Sequence, residues 1–239
     1  MRRCALVICL LGLACAVGAY GVDAPAPVGA DKGATMADPA QVGGEDASIV
    51  QVANLIYART KSSKCFSDHF LVRADEQSAI STSRRFHAVK LESEDVFQFP
   101  FVIMTGEGSF DLTEVERANL KKYCENGGFL VASAGCSSEA WDKSFRGELR
   151  RVWPDVSLQP LPMTHSVFHT VYDVKDIQTK HGKARPIEGI SHNGRLVLIY
   201  SQDGLNNTAN ARGCCCCGGN EISNSEEVNV DILAYALAF

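Results

Sequence analysis

The sequence has no excess of positive charge. Its 23 lysines and arginines face 28 aspartates and glutamates, for a formal net charge of −5. Affinity for a phosphate backbone needs a positive face, so an acidic chain with scattered basic residues is not read as a nucleic-acid binder. Arg146, Arg150 and Arg151 are its one local basic cluster, expected on the solvated side of a helix. Beyond residue 19 no apolar run reaches the ~20 residues that a membrane span requires, which leaves no transmembrane segment in the remainder. There is no internal repeat. Gly213, Gly218 and Gly219 lack the G-x-x-x-x-G-K spacing of a nucleotide loop, and no H-E-x-x-H zinc motif occurs.

The N-terminus reads as an export signal. Arg2 and Arg3 precede an uncharged, mostly apolar run from Cys4 to Val17, and Val17-Gly18-Ala19 supplies small residues before Tyr20. That three-part pattern predicts a secretory signal over residues 1–19 and a periplasmic or extracellular location. The run is too short for a membrane anchor. Residues 20–47, with Ala24-Pro25-Ala26-Pro27, are expected to be a linker, because such a segment buries too little surface to offset its ordering entropy. Residues 48–239 form the predicted domain.

Cysteine is concentrated where it is least expected. Cys214 to Cys217 stand in a row, followed by Gly218 and Gly219. Neighbouring side chains of an extended segment point to opposite faces, so packing against one core does not call for four in succession. Cys214 and Cys217 have the C-x-x-C spacing of a metal or redox pair, with zinc as the candidate. A tetrahedral site would need a further ligand from another loop. The competing expectation is a disulfide, either between neighbours or to Cys65 or Cys136, in an oxidising compartment. Without the signal segment, Cys65, Cys124, Cys136 and the quartet remain, an odd number of thiols.

From Ile49 onward strand-like and helix-like runs alternate. Strands are expected at 49–57, 87–91, 99–104, 129–132 and 196–200. Helices are expected around 68–80, from Thr113 to the Gly127-Gly128 pair, from Ser138 to before Pro154, and over 228–237. Thr113 and Glu116 have capping-box spacing. Val115, Leu120, Tyr123 and Cys124 are the expected apolar stripe of that helix. This alternation predicts an α/β domain with a mostly parallel sheet covered on both faces.

Ligands of such sheets sit beyond the carboxyl ends of the strands. The strand exits carry Arg59 and Lys61, Glu107, and Asp203 and Asn206, which are the candidate binding residues for a small polar molecule, sugar or peptide.

The run FPFVIMTGEGSFDLTEVERANLKKYCENGGFLVASAGC is followed by SFRGELRRVWP, LPMTHSVFHTVYDV, PIEGI, LVLIYS and VNVDILAYAL. In that order these segments resemble the bacterial domain-of-unknown-function family numbered 4159. The resemblance implies the architecture of the class I glutamine amidotransferase-like group, a flavodoxin-like three-layer sandwich. In that group a nucleophilic cysteine sits on the turn after a strand that follows a glycine-ended helix. Gly127-Gly128, Phe129 to Ala132 and Cys136 fall in this order, although glycine immediately precedes Cys136 and none stands two residues after it. His165 is the candidate base. His165 and His169 also have i, i+4 spacing, but Pro160 and Pro162 argue for a turn there.

The leading expectation is an exported ligand-binding or interaction module. The alternatives are a cysteine-dependent hydrolase using Cys136 and His165, and a metal or redox protein using Cys214 and Cys217.

Overall fold

A computed structural model describes residues 48–60, 65–211, 214 and 219–239. The expected signal segment, the linker, Lys61 and Cys215 to Cys217 lie outside these residues. The described elements, in chain order, are β1 (Val52–Ile56), α1 (His69–Gln77), β2 (His87–Lys90), β3 (Phe101–Gly106), α2 (Glu114–Glu125), β4 (Phe129–Ala134), α3 (Glu139–Val152), β5 (Gln159–Pro160), β6 (Glu188–His192), β7 (Arg195–Ser201) and α4 (Ser225–Ala238). All seven strands form one sheet in the order β2-β1-β3-β4-β7-β6-β5. The first five in that order run parallel. β6 is antiparallel to β7, and β5 to β6. The fold is therefore α/β with a mostly parallel sheet.

The continuous apolar runs of β3 and β4 are explained by burial on both faces. Because alternate side chains point to opposite faces, each strand feeds two cores. Val102, Met104, Leu130 and Ala132 pack with Leu120 of α2 and Trp141 and Phe145 of α3. Phe101, Ile103, Phe129 and Val131 pack with Phe70 and Leu71 of α1 and Val230 and Leu233 of α4. Register reinforces this: Phe101 pairs with Phe129, and their rings stack at 5.7 Å.

Local signals set the helix boundaries. Thr113 and Glu116 form the capping box that their spacing predicts. The second Glu116 oxygen also accepts the Ala58 N–H at 2.7 Å, so the cap ties α2 to the exit of β1. This changes the expected stripe: Val115 is 55% exposed, while Glu116 is buried. A carboxylate that accepts backbone N–H groups from two segments is satisfied there, so the helix turns it inward. Ser138 caps α3 by accepting the Trp141 N–H. Gly127 takes φ 101°, the left-handed conformation that ends a helix at low cost to glycine.

β5 and β6 depart from the expected pattern. The Pro160 region, expected as a turn, contributes a two-residue edge strand, a position where the missing proline N–H is tolerated. β6 is short and polar, and Gly189 lets it close on β7: a Cβ there would stand 3.0 Å from the Leu198 carbonyl oxygen. Arg146 also departs from the solvated face expected of its cluster. Its guanidinium turns inward to pair with Glu188 and Asp142.

Candidate ligand-binding cleft

The exits of β1, β3, β4 and β7 gather at one end because these strands are parallel neighbours. Strand order reverses between β1 and β3, the position where open α/β sheets usually leave a crevice. Here the chain fills it with its own side chains. Trp141 Nε1 donates to Tyr57 Oη at 2.7 Å, and Tyr57 Oη donates to the Thr105 carbonyl at 3.0 Å. A Cβ on Gly106 would lie 2.6 Å from Tyr57 Oη and 2.8 Å from Trp141 Nε1. Burial pushes the Tyr57 phenol up to about 12, against the lowering effect of the Trp141 bond, so it stays neutral.

Cys136 lies on the turn between β4 and α3. It has φ 51° and Ser137 has φ 53°, two successive left-handed residues without glycine. Such conformations cost about 1–3 kcal/mol each and persist only where surrounding contacts hold them. Those contacts are present. Ser137 Oγ donates to the Asp203 carbonyl at 3.0 Å and accepts the Asn220 N–H at 2.8 Å. Ser138 Oγ donates to the Glu107 carbonyl. Gly219 rests on the Cys136 backbone: a Cβ there would overlap the Cys136 carbonyl and lie 2.8 Å from its Cα. The Cys136 thiol donates to Glu107 Oε1 at 3.8 Å.

Of the other candidates, Asp203 and Asn206 are buried and brace the rim from within. Asp203 accepts the Arg185 backbone N–H at 2.6 Å and its guanidinium at 3.2 Å. Asn206 accepts from Ser133 and donates to Cys65 and Thr105. Arg59 is exposed beyond β1 with φ 59°. Cys214 forms a disulfide with Cys65 across 149 residues, with Cα atoms 4.9 Å apart. In that state its sulfur has no thiolate to give a metal. Among the described residues, no group of three or more His, Cys, Asp or Glu is arranged to hold a metal ion.

His165 is not brought to Cys136. Its Nδ1 accepts the Val167 N–H, its ring lies 5.6 Å from Tyr235, and burial lowers its pKa. Tyr235 in turn meets Phe129, the first residue of β4, whereas Cys136 follows the last. A six-residue strand separates those ends by roughly 20 Å. Both ring nitrogens of His169 are engaged, by Asp173 and the Met163 carbonyl.

A cleft of ≈ 220 Å³ opens farther along the same rim, lined by Arg146, Pro160, Arg185, Pro186, Glu188 and Gln202. Glu188 reaches the rim because antiparallel β6 begins there, opposite Tyr200. Arg146 grips both Glu188 oxygens and donates from Nε to Asp142 at 2.7 Å. Its guanidinium lies 5.1 Å above the Tyr200 ring, and the Tyr200 hydroxyl donates to Asp142 at 2.7 Å. These residues come from mid-helix, a loop, the start of one strand and the end of another. Their one local sequence signal is the i, i+4 spacing of Asp142 and Arg146, which marks a paired helix face.

No helix among the described residues is long and apolar enough to cross a membrane. No curated protein matches the chain. A family model, the domain of unknown function DUF4159, matches residues 52–237. That span runs from the first residue of β1 to the last turn of α4, and the chain belongs to the DUF4159 family.

Proposed function

We propose that this is an exported ligand-binding domain, with a flavodoxin-like, amidotransferase-like arrangement, that holds a small polar molecule at the carboxyl rim of its sheet. The cleft between Arg146, Arg185, Glu188 and Gln202 carries this reading. It joins polar groups from three separate segments with a guanidinium fixed from below, which is the preorganisation a binding site needs. The strand order β2-β1-β3-β4-β7 supports the flavodoxin-like assignment. The basic, apolar, small-residue N-terminus and the Cys65–Cys214 disulfide support export, since disulfides persist in oxidising compartments.

The test is amide NMR on the domain with a panel of sugars, amino acids and short peptides. Saturable shifts at Arg185, Glu188 and Gln202, lost in Gln202→Ala, are the expected result. Saturable shifts confined to other surfaces, or none with any compound, would remove the proposal.

One observation favours a second reading, a cysteine nucleophile. The Cys136 thiol faces the Glu107 carboxylate just before the α3 N-terminus, so Glu107 takes the place of His165 as proton acceptor. Glu107→Gln should then slow iodoacetamide labelling of Cys136 at neutral pH. A labelling rate that is unchanged or faster in that variant would reject it.

A further inference from the structure

We infer that the rim cleft takes an uncharged, polyhydroxylated single ring, a neutral monosaccharide; this rests on the rim-binding reading just given. Size gives the first argument. The cleft, ≈ 220 Å³, falls below the ~300–1,000 Å³ of sites for drug-sized ligands, which suits one ring.

Charge gives the second. Arg146 is already held by Glu188 and Asp142, and Arg185 by Asp203. Three carboxylates, Asp142, Glu188 and Asp203, stand against these two guanidiniums, so an incoming anion meets no net positive charge. An incoming cation would meet the positive charge of Arg146 wherever it approached Glu188. In either case a unit charge leaves water without a partner of its own, which is unfavourable.

A hydroxyl group meets no such obstacle, because it donates and accepts at once. Each carboxylate oxygen keeps a spare lone pair, and each terminal guanidinium nitrogen of Arg146 keeps a second N–H. The bidentate Arg146–Glu188 pair thus offers a donor beside an acceptor, the complement of two adjacent hydroxyls. Gln202 adds another donor and acceptor on one amide, with no side-chain partner among the described residues. Pro160 and Pro186 supply apolar rings against which the C–H face of a sugar packs without leaving polar groups unpaired. Tyr200 holds the Arg146 plate in place before any ligand arrives.

The experiment uses the full domain with its disulfide intact. Glucose, galactose, mannose and N-acetylglucosamine are titrated beside glucuronate and glucosamine, with amide shifts as the readout. At least one neutral sugar should bind saturably, and Gln202→Ala should weaken it about five- to tenfold, the equivalent of one or two lost hydrogen bonds. Gln202 is partly exposed, so this variant keeps the fold. The acid or amine form should bind at least about tenfold more weakly than the neutral sugars. Glucuronate or glucosamine binding as tightly as the best neutral sugar would overturn the inference. So would amino acids or peptides that shift the rim while every sugar fails, although rim binding would then stand. If no compound in either panel shifts the rim, both readings fall together.

Discussion

Gly219 has no room for a side chain, because a Cβ would overlap the Cys136 carbonyl. Gly219→Ala must therefore lift this segment from the turn or strain it. Overpacking of this kind costs about 1–3 kcal/mol, to be read from a urea midpoint. Iodoacetamide should also label Cys136 faster in the variant, and an unchanged midpoint with an unchanged rate would show that the contact does not form. Asp231 provides a test of pH dependence. Its Oδ1 accepts the N–H groups of Val171 and Tyr172 at 2.7 and 2.8 Å, while Oδ2 has no hydrogen-bond partner among the described residues. Burial raises its pKa, against the lowering effect of those N–H groups. The folded state therefore holds the proton more tightly than the unfolded state. Asp231's stabilising contribution is full below the ordinary aspartate value of about 3.9 and is lost as pH rises through the folded value. Asp231→Asn carries no such titration, so its melting temperature relative to wild type should rise between pH 4 and pH 7. A difference that stays flat across that interval would mean that Asp231 does not titrate in this way.

At the scale of elements, the rim is fastened by a covalent link between segments far apart in the chain. The Cys65–Cys214 disulfide closes a span of 149 residues, and long closed loops remove the most freedom from an unfolded chain. Cys65→Ser should cost about 2–5 kcal/mol in chemical unfolding. Dithiothreitol should bring wild type down to the same midpoint. A variant as stable as wild type would show that the link does not constrain the unfolded chain. The elements differ in how far the sequence discloses them. β3, β4 and β7 are continuous apolar runs, and α2 and α3 begin at Thr113 and Ser138 with capping side chains, so physics local to each segment locates them. β5 and β6 carry no such signal. One is two residues long with a proline, and the other is polar and joins the sheet because β7 offers it an edge.

For the whole molecule, the parallel arrangement of the central strands brings their exits together, and this much follows from alternating strands and helices. Which polar residues face solvent at that rim does not follow. Asp203 and Asn206 stand at a strand exit in the sequence, yet the fold turns them inward to bind the loops to one another. Arg146 and Glu188 lie 42 residues apart and meet because α3 crosses toward the start of β6. No spacing rule links residues whose proximity depends on two chain reversals. The usual crevice of such a sheet, between β1 and β3, is closed by the indole of Trp141 against Tyr57. The domain thus carries an aromatic guest of its own, covalently attached. Excising it as Trp141→Gly would leave a vacancy of indole shape with a phenol waiting at its edge, and free indole added to the solution should occupy that vacancy and restore the lost stability.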